Sequence, residues 1–503
     1  MAAAPGLTPG SEAAGGLTGP PAIDPLRDSR VHAFLAIVAG LGCCCCGPSP
    51  GPPRHVLLLT VDTLRSDHLS ANGYDLPSTP YLDGLLAGGV AFPRTLAPVP
   101  RTTPSLASLL TGAYPHTTGV RTLYDPLSDE VTSLAEILRR NGYRTAAVVS
   151  NHVLTRERRL DRGFEVYNAA GDVRGAGATT DAALALAEPA WRDRSVLLWV
   201  HYIDPHVPYL PPEALAEAFD PGYAGRYARG FGSVPGGIGD RAYPADLPKA
   251  EAVYRNPLPE EVNAHVRRLY AADVRATDDQ IARLVEGLKT RVKNDWLVVF
   301  TADHGESLGE HDFYWDHGDY VYNADLQVPL GFVLPPGDPR ARGARVEDWV
   351  SLVDVMPTLL DLLGVGVPNE VAAQIEGRSL LPFLEGATLP PRPVFAESGT
   401  SFYPQLVRRR VGFDVAGRFR AAVLGDWKLI WTPGQTPEME YELYDLAADP
   451  AETHDLWTAG HPQGRVLTEQ LHAWYRDASD EKHVERPPSE EDLERLRSLG
   501  YLE

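Results

Sequence analysis

Four apolar runs punctuate the chain: VLLLTVD from Val56, TAAVVSNH from Thr145, SVLLWVHYIDPH from Ser195 and DWLVVFTADHGE from Asp295. Each is a short continuous hydrophobic stretch followed by loops or helical patterns, as strands of a mostly parallel α/β sheet covered on both faces require. Between them lie helix signals. Ser133 and Glu136 form a capping-box pattern with Gly142 as a stop, and TDDQIARLVEGL from Thr277 reads as an amphipathic helix with an acidic start. In RTTPSLASLLTG, residues 101–112, Pro104 suits the first helical position, Thr103 the cap and Gly112 the end, which leaves Thr102 just outside the helix. Residues 216–262 are rich in Gly, Pro and Tyr without periodicity and read as a long loop bordering a site.

After about residue 390 the pattern changes to short strand-like pieces, VFAES, RAAVLGDWKLIWTP and YELYDLAADP, followed by a charged helix, SEEDLERLRSLGYLE. The organisation expected is a leader and linker over 1–54, an α/β domain over 55–389, and a smaller antiparallel subdomain with a terminal helix over 390–503. Neither an internal repeat nor a transmembrane segment of the mature chain is visible.

The strands end in polar chemistry. Asp62 closes the first, Asn151 and His152 the second, His201, Asp204 and His206 the third, and Asp303 and His304 the fourth. Any one could be a turn residue or a cap. Together they point to a cleft, because the carboxyl ends of the strands form the ligand-binding edge of open α/β sheets. Asp62, Asp303 and His304, with a threonine oxygen, offer ligands for a divalent cation, and Ca²⁺, Mn²⁺, Mg²⁺ or Zn²⁺ all suit the donor types. Such a cation, with a helix N-terminus, would activate a threonine hydroxyl that is a poor nucleophile when free. The neighbouring acids Glu306 and Glu310 read either as supporting partners of the metal-binding run or as solvated groups, the latter being favoured.

Composition narrows the partners. The 503 residues are 44% hydrophobic, enough for a large core, and the formal net charge is −21 without a dense basic patch, which disfavours nucleic acid. All four cysteines stand together, Cys43 to Cys46, after the apolar run AFLAIVAGLG with Arg27 and Arg30 upstream. That run reads as the core of a secretion signal, too short to span a bilayer stably. The expected location is secreted or periplasmic. GLGC around Cys43 is similar to a bacterial lipoprotein cleavage site, imperfectly because Gly40 stands where Leu is usual, so a lipid anchor is an open alternative.

The runs VLLLTVDTLRSDHL, TPSLASLLTGAYPHTTGV, HYIDPHVPY, TADHGESLGEH and ELYDLAADPAE resemble, in order and over roughly residues 55–460, the sulfatase branch of the alkaline phosphatase superfamily. The resemblance implies an alkaline-phosphatase-like α/β fold, a mixed and mostly parallel sheet flanked by helices. It puts Thr102 at the nucleophile position and Asp62, Asp303 and His304 among the metal ligands, Thr102 completing the set. It also puts His206 and His317 where the family grips the ester's anionic oxygens or assists the leaving group. Asn151 and His152 fall in a substrate-binding run of which only His152 keeps the residue type.

The departures are chemical. Sulfatases typically carry Cys or Ser followed by x-Pro-Ser-Arg and convert that residue to formylglycine; here the run is Thr102-Thr-Pro-Ser-Leu106, and no cysteine follows Cys46. Threonine cannot give the aldehyde, and the carboxylate pair of a sulfatase site is reduced to Asp62-Thr63. The function expected is a hydrolase using one or two divalent ions, without formylglycine, that cleaves sulfate or, chemically preferred, phosphate or phosphonate esters of small molecules, glycans or lipids. A non-catalytic protein binding sulfated or phosphorylated ligands, and a transferase resembling those for phosphoethanolamine, are the alternatives.

Overall fold

The computed structural model describes residues 55–478 apart from 172, 232–253, 255–257, 294, 341–342, 402–403, 412–414, 416 and 435–438, together with 489, 490 and 493. The leader with its cysteine cluster and most of the SEEDLERLRSLGYLE helix lie outside the described residues.

The strands in chain order are β1 His55–Val61, β2 Val90–Leu96, β3 Arg144–Val149, β4 Val166–Ala169, β5 Val196–Tyr202, β6 Trp296–Ala302, β7 Ser307–Leu308, β8 Tyr314–Asp316, β9 Gln327–Val333, β10 Ala344–Arg345, β11 Val350–Ser351, β12 Val394–Glu397, β13 Arg420–Leu424, β14 Trp427–Pro433 and β15 Met439–Asp445. The main sheet has the order β10-β2-β9-β6-β1-β5-β3-β4, with β11 beside β2. Its centre is parallel, as the four apolar runs predict. β9 runs antiparallel to both β6 and β2, so the sheet is mixed. Every residue of β1, β5 and β6 is buried, which is why these strands read as unbroken hydrophobic runs rather than alternating ones.

Register carries the fold to the site. Val61 pairs with Ala302 and with Tyr202, so Asp62 and Asp303 leave adjacent strands at the same level of the carboxyl edge. Val149 pairs with His201, which brings the end of β3 to that edge as well.

Helices cover the faces. Leu134–Arg140 has its capping box between Ser133 and Glu136. The helix expected to start at Thr277 instead runs from Glu260 to Arg291, with Val266, Leu269, Tyr270, Val274, Ile281, Leu284, Val285 and Leu288 buried along it. The acidic TDDQ stretch is mid-helix, Asp278 being buried rather than marking an N-terminus. The expected loop over 216–262 is shortened at both ends, by a helix Glu213–Phe219 and by the start of the long one.

β12 to β15 form a separate four-stranded antiparallel sheet in sequential order. RAAVLGDWKLIWTP is a hairpin, β13 and β14, turning at Gly425 with φ 58°. A helix Pro462–Ala478, not foreseen from the sequence, buries Leu467 and Leu471 against Ala422, Leu429 and Leu443 of this sheet. No described helix is long and apolar enough to cross a membrane.

Candidate active site

Thr102 opens the helix Thr102–Thr111, two residues earlier than the Pro104 signal implies. The cap position belongs to Arg101, with extended φ −146° and ψ 139°, and no side chain caps the helix. Thr103 cannot cap because its hydroxyl donates to the Leu123 carbonyl at 3.0 Å. Thr102 is 3% exposed, and its hydroxyl lies at the helix N-terminus, where backbone N–H groups favour developing negative charge. Ser105, one turn on, donates to the Asp303 carbonyl at 2.6 Å and ties the helix to β6.

Asp62 and Asp303 are each half satisfied. Asp62 Oδ2 accepts from the Asn151 amide at 2.6 Å and has His201 Nε2 at 3.6 Å, while Asp62 Oδ1 is buried without a hydrogen bond. Asp303 Oδ1 accepts from the backbone of Thr63 at 3.3 Å and of His304 at 2.9 Å, leaving Oδ2 buried and unbonded. Between them stands His304. Its Nδ1 donates to the Gly305 carbonyl at 2.8 Å, so Nε2 carries a lone pair, and this faces Asp62 Oδ1 at 3.6 Å and Asp303 Oδ2 at 3.5 Å. Thr102 Oγ1 completes the group, 3.4 Å from His304 Nε2.

Three electron-pair donors and a hydroxyl facing one another repel unless something positive sits among them. Donors around a cation at bonding distance are themselves about 3–4 Å apart, which is the spacing here. The residues therefore fit a divalent cation. Electrostatics without one agree: burial and the charge of Asp62 push the Asp303 carboxyl well above its ordinary range, and burial holds His304 below its own. For Asp62 burial works against ionisation, but the adjacent His201 and the nearby His206 outweigh it and hold the carboxyl below the usual range.

His201 was named at the strand end but not among the ligands. It belongs to the same buried group, its carboxylate neighbours Asp62 and Asp303 all offering atoms within 4.8 Å of it and each other. Trp199 donates to Thr60 Oγ1 at 2.9 Å, and Thr60 Oγ1 lies 3.0 Å from His201 Nδ1, so a buried chain of side chains fixes the ring behind Asp62.

His206 and His317 meet beside this group, their rings 5.2 Å apart at 76°, and the His317 ring is 4.3 Å from that of His304. His206 Nδ1 donates to the Val207 carbonyl at 2.7 Å. His317 Nδ1 lies 3.0 Å from Glu306 Oε1. Burial, then the charges of His206 and Arg101, keeps His317 well below its ordinary range.

Asn151 is drawn into the acidic group by its bond to Asp62, and its own carbonyl accepts from the Val153 backbone at 3.1 Å. His152 is buried next to it. Asp204 turns elsewhere, its carboxylate accepting from the Ala176 backbone at 2.6 Å at the start of the helix Ala176–Leu186.

Two readings are corrected. Glu306 is not solvated but 0% exposed, and burial pushes its carboxyl up to about 8. Glu310 pairs with the buried Arg65 at 2.7 Å and accepts from the Leu308 backbone.

Comparison with known proteins now decides the family. The family profile described as Sulfatase matches residues 54–365, and one described as N-sulphoglucosamine sulphohydrolase, C-terminal, matches residues 309–480. The chain belongs to the sulfatase family. This sulfatase-family hydrolase is 27% identical over 468 residues to the ulvan-active sulfatase of Formosa agariphila, covering 84% of this chain and 80% of that one. With the human N-sulphoglucosamine sulphohydrolase it shares 29% identity over 378 residues, 71% of this chain and 70% of the relative. The crystal structure of a phosphonate monoester hydrolase of Agrobacterium radiobacter superimposes with a TM-score of 0.64 at 23% identity, covering 87% of this chain and all of that one, a likeness of fold.

Proposed function

We propose that this sulfatase-family chain is a metal-dependent ester hydrolase whose nucleophile is Thr102, with phosphate or phosphonate esters preferred over sulfate esters. The observation that carries the reading is the contact of Thr102 Oγ1 with His304 Nε2, at the point where Asp62 and Asp303 turn their unbonded oxygens. In this reading Asp62, Asp303, His304 and Thr102 hold the cation. Its chemistry would be to lower the basicity of the threonine oxygen and to offset charge on the ester.

Thr102 Oγ gives up its proton to solvent and attacks phosphorus; the bond from phosphorus to the leaving oxygen breaks, and a histidine of the His206–His317 pair delivers a proton to that oxygen. The helix N-terminus and the remaining histidine receive the non-bridging oxygens. Water then attacks phosphorus and the bond to Thr102 Oγ breaks, returning the hydroxyl. A formylglycine hydrate can expel sulfate by collapsing to an aldehyde, whereas a threonine has no such route and must be released by direct attack. That step favours phosphorus over sulfur. Asn151 acts by holding Asp62, and His152 borders the substrate.

The apolar run before Cys43 supports secretion, with lipid attachment at Cys43 as its anchored form. The likeness to an ulvan-active sulfatase and to an N-sulphoglucosamine sulphohydrolase supports a glycan or other small ester as substrate class.

The test is hydrolysis by the purified chain of matched nitrophenyl sulfate, phosphate monoester, phosphodiester and phosphonate ester, each with Mn²⁺, Ca²⁺ or Zn²⁺. Faster cleavage of a phosphorus ester, lost in Thr102→Ala, is expected. Faster cleavage of the sulfate ester would overturn the chemical preference, and full activity in Thr102→Ala would overturn the nucleophile.

A further inference from the structure

Glu306 is a buried carboxyl in search of a reason. A carboxyl at 0% exposure is costly to desolvate, and a glutamine or leucine would occupy the same volume more cheaply. Its side chain instead meets His317, eleven positions on, with Oε1 3.0 Å from Nδ1. The hairpin β7–β8 makes that meeting obligatory, because Ser307 pairs with Asp316 and the next positions outward are Glu306 and His317.

The surrounding backbone is pinned. The Glu306 carbonyl accepts from Arg65 Nη1 at 3.1 Å, and the preceding Gly305 donates to the Asp325 carbonyl at 2.7 Å. A Cβ at Gly305 would come within 2.0 Å of the Ala324 carbonyl oxygen, so the segment cannot shift to accept a side chain there. In the connecting turn His311 and Asp312, and on the other arm Trp315, hold φ of 55°, 54° and 57°, a left-handed conformation that non-glycine residues adopt only when their surroundings impose it. Both arms of the hairpin are thus built to deliver one carboxyl to one imidazole.

We propose that Glu306 is a positioning residue for His317: by engaging Nδ1 it fixes the plane and the tautomer of the ring and reserves Nε2 for the ester. Two neighbours make orientation matter. The His304 and His206 rings crowd the His317 ring, and a half-turn about its side-chain torsion would put Cε1 in place of Nε2 at the substrate and Cδ2 in place of Nδ1 at Glu306. A carboxyl that orients a functional imidazole through its second nitrogen is the general device by which proteins choose between the two ring nitrogens. The inference rests on the proposed hydrolysis at Thr102, but it gives Glu306 a role that neither the nucleophile nor the metal ligands require.

The experiment uses the full chain and the phosphorus ester that it cleaves fastest. Glu306→Ala is expected to lower kcat about 100-fold with KM changed less than about threefold, while Glu306→Gln, which keeps a hydrogen-bonding group at Nδ1, stays within about tenfold of the parent. In a His317→Ala background, Glu306→Ala is expected to cost less than about twofold more, because the residue acts through the ring. Equal losses in the two backgrounds, or an unchanged kcat in Glu306→Ala while Thr102→Ala is inactive, would overturn the proposal and leave the nucleophile standing. A second readout is independent of turnover: ¹⁵N-histidine spectra, with the His317 signals assigned by their absence in His317→Ala. Separate, fixed ring-nitrogen signals in the parent that move toward each other in Glu306→Ala support positioning, and signals indifferent to the substitution overturn it. If Thr102→Ala keeps full activity, the hydrolysis reading fails and the spectra still decide the orientation of the ring.

Discussion

Thr102 Oγ1 lies 3.4 Å from His304 Nε2, although 202 residues separate them in the chain. The helix N-terminus and the carboxyl edge of β6 meet at that contact, where the hydroxyl of Thr102 stands. Thr102→Ala is therefore expected to reduce kcat by about 10³-fold or more while changing stability by no more than about 1 kcal/mol, since the helix is not capped by this side chain. Thr102→Ser keeps the oxygen and should keep measurable turnover. Steady-state rates and chemical unfolding of the same preparations check both halves; a large loss of stability in the alanine variant would make its inactivity uninformative about the nucleophile.

Metal removal should act on stability as well as on rate. In the ion-free chain Asp62 and Asp303 stand as buried carboxyls facing a neutral imidazole, an arrangement that costs energy until a cation joins it. Chelation should abolish turnover, and adding back a divalent ion to one hundred times its Kd should raise unfolding free energy by about 2.7 kcal/mol. Asp303→Asn, which removes one charge and keeps the shape, should lose that gain and be the more stable of the two chains when both are ion-free. Denaturant titrations with and without Mn²⁺ or Zn²⁺ measure this directly; an undiminished gain in Asp303→Asn would exclude that carboxylate as a ligand.

The legible part of this site was the part written at strand ends. Asp62, His201, Asp303 and His304 could be found because a fully buried parallel strand is an unbroken apolar run, and whatever polar residue follows it must stand at the sheet edge. Thr102 needed the family resemblance, since a threonine before Pro104 reads equally well as punctuation. The helix register there was misjudged because Pro104 is tolerated throughout the first turn and Arg101, a residue without capping habit, took the cap. Glu306 was read as solvated because local sequence shows charge, not the β7–β8 register that carries it across to His317. The long helix was cut short at Thr277 for a similar reason: Asp273 and Asp278 interrupt its apolar stripe, yet both are buried, accepting from the backbones of Leu210 and of Tyr81 and Leu82. β2 and β9 lie at the antiparallel side of the sheet, outside the run-and-loop pattern that identified the centre.

Gly318 tests how rigidly the neighbour of Thr102 is held. It sits at φ 98°, and a Cβ there would come within 1.9 Å of Arg101 Nε. Arg101 precedes Thr102 and pairs with Asp319 at 3.2 Å, both side chains being buried. Gly318→Ala should displace the guanidinium, cost about 3 kcal/mol or more through the strained φ and the broken buried pair, and lower turnover through the shifted start of the helix. With Arg101→Ala already in place, which removes the atoms that the new Cβ would meet, the same alanine should cost only the backbone share, about 1–2 kcal/mol. A double-mutant cycle on unfolding free energy gives the coupling, and a coupling near zero would mean that the glycine serves the turn alone.

Asp278 offers a pH dependence away from the site. Its Oδ2 and Oδ1 accept from the backbones of Tyr81 at 2.8 Å and Leu82 at 2.9 Å, in the first turn of the helix Pro80–Ala87. Burial outweighs those bonds and pushes the carboxyl up to about 6. In the unfolded chain it titrates near 3.9, so between the two values the folded form holds a proton that the unfolded form has released. The contribution of this group is thus full below about pH 4 and is lost as pH rises to about 6, a fall on the order of 2–3 kcal/mol, after which it is flat. Asp278→Asn cannot titrate, and its poorer match to two backbone donors costs a roughly constant 1–2 kcal/mol. The stability of the parent minus that of the variant should accordingly decline between about pH 4 and 6 and level off above, a subtraction that cancels the titration of every other acid. Urea unfolding of both chains across that range decides the matter: a constant difference would place the Asp278 carboxyl at its ordinary value and assign it a structural role as an ionised acceptor for the two amides.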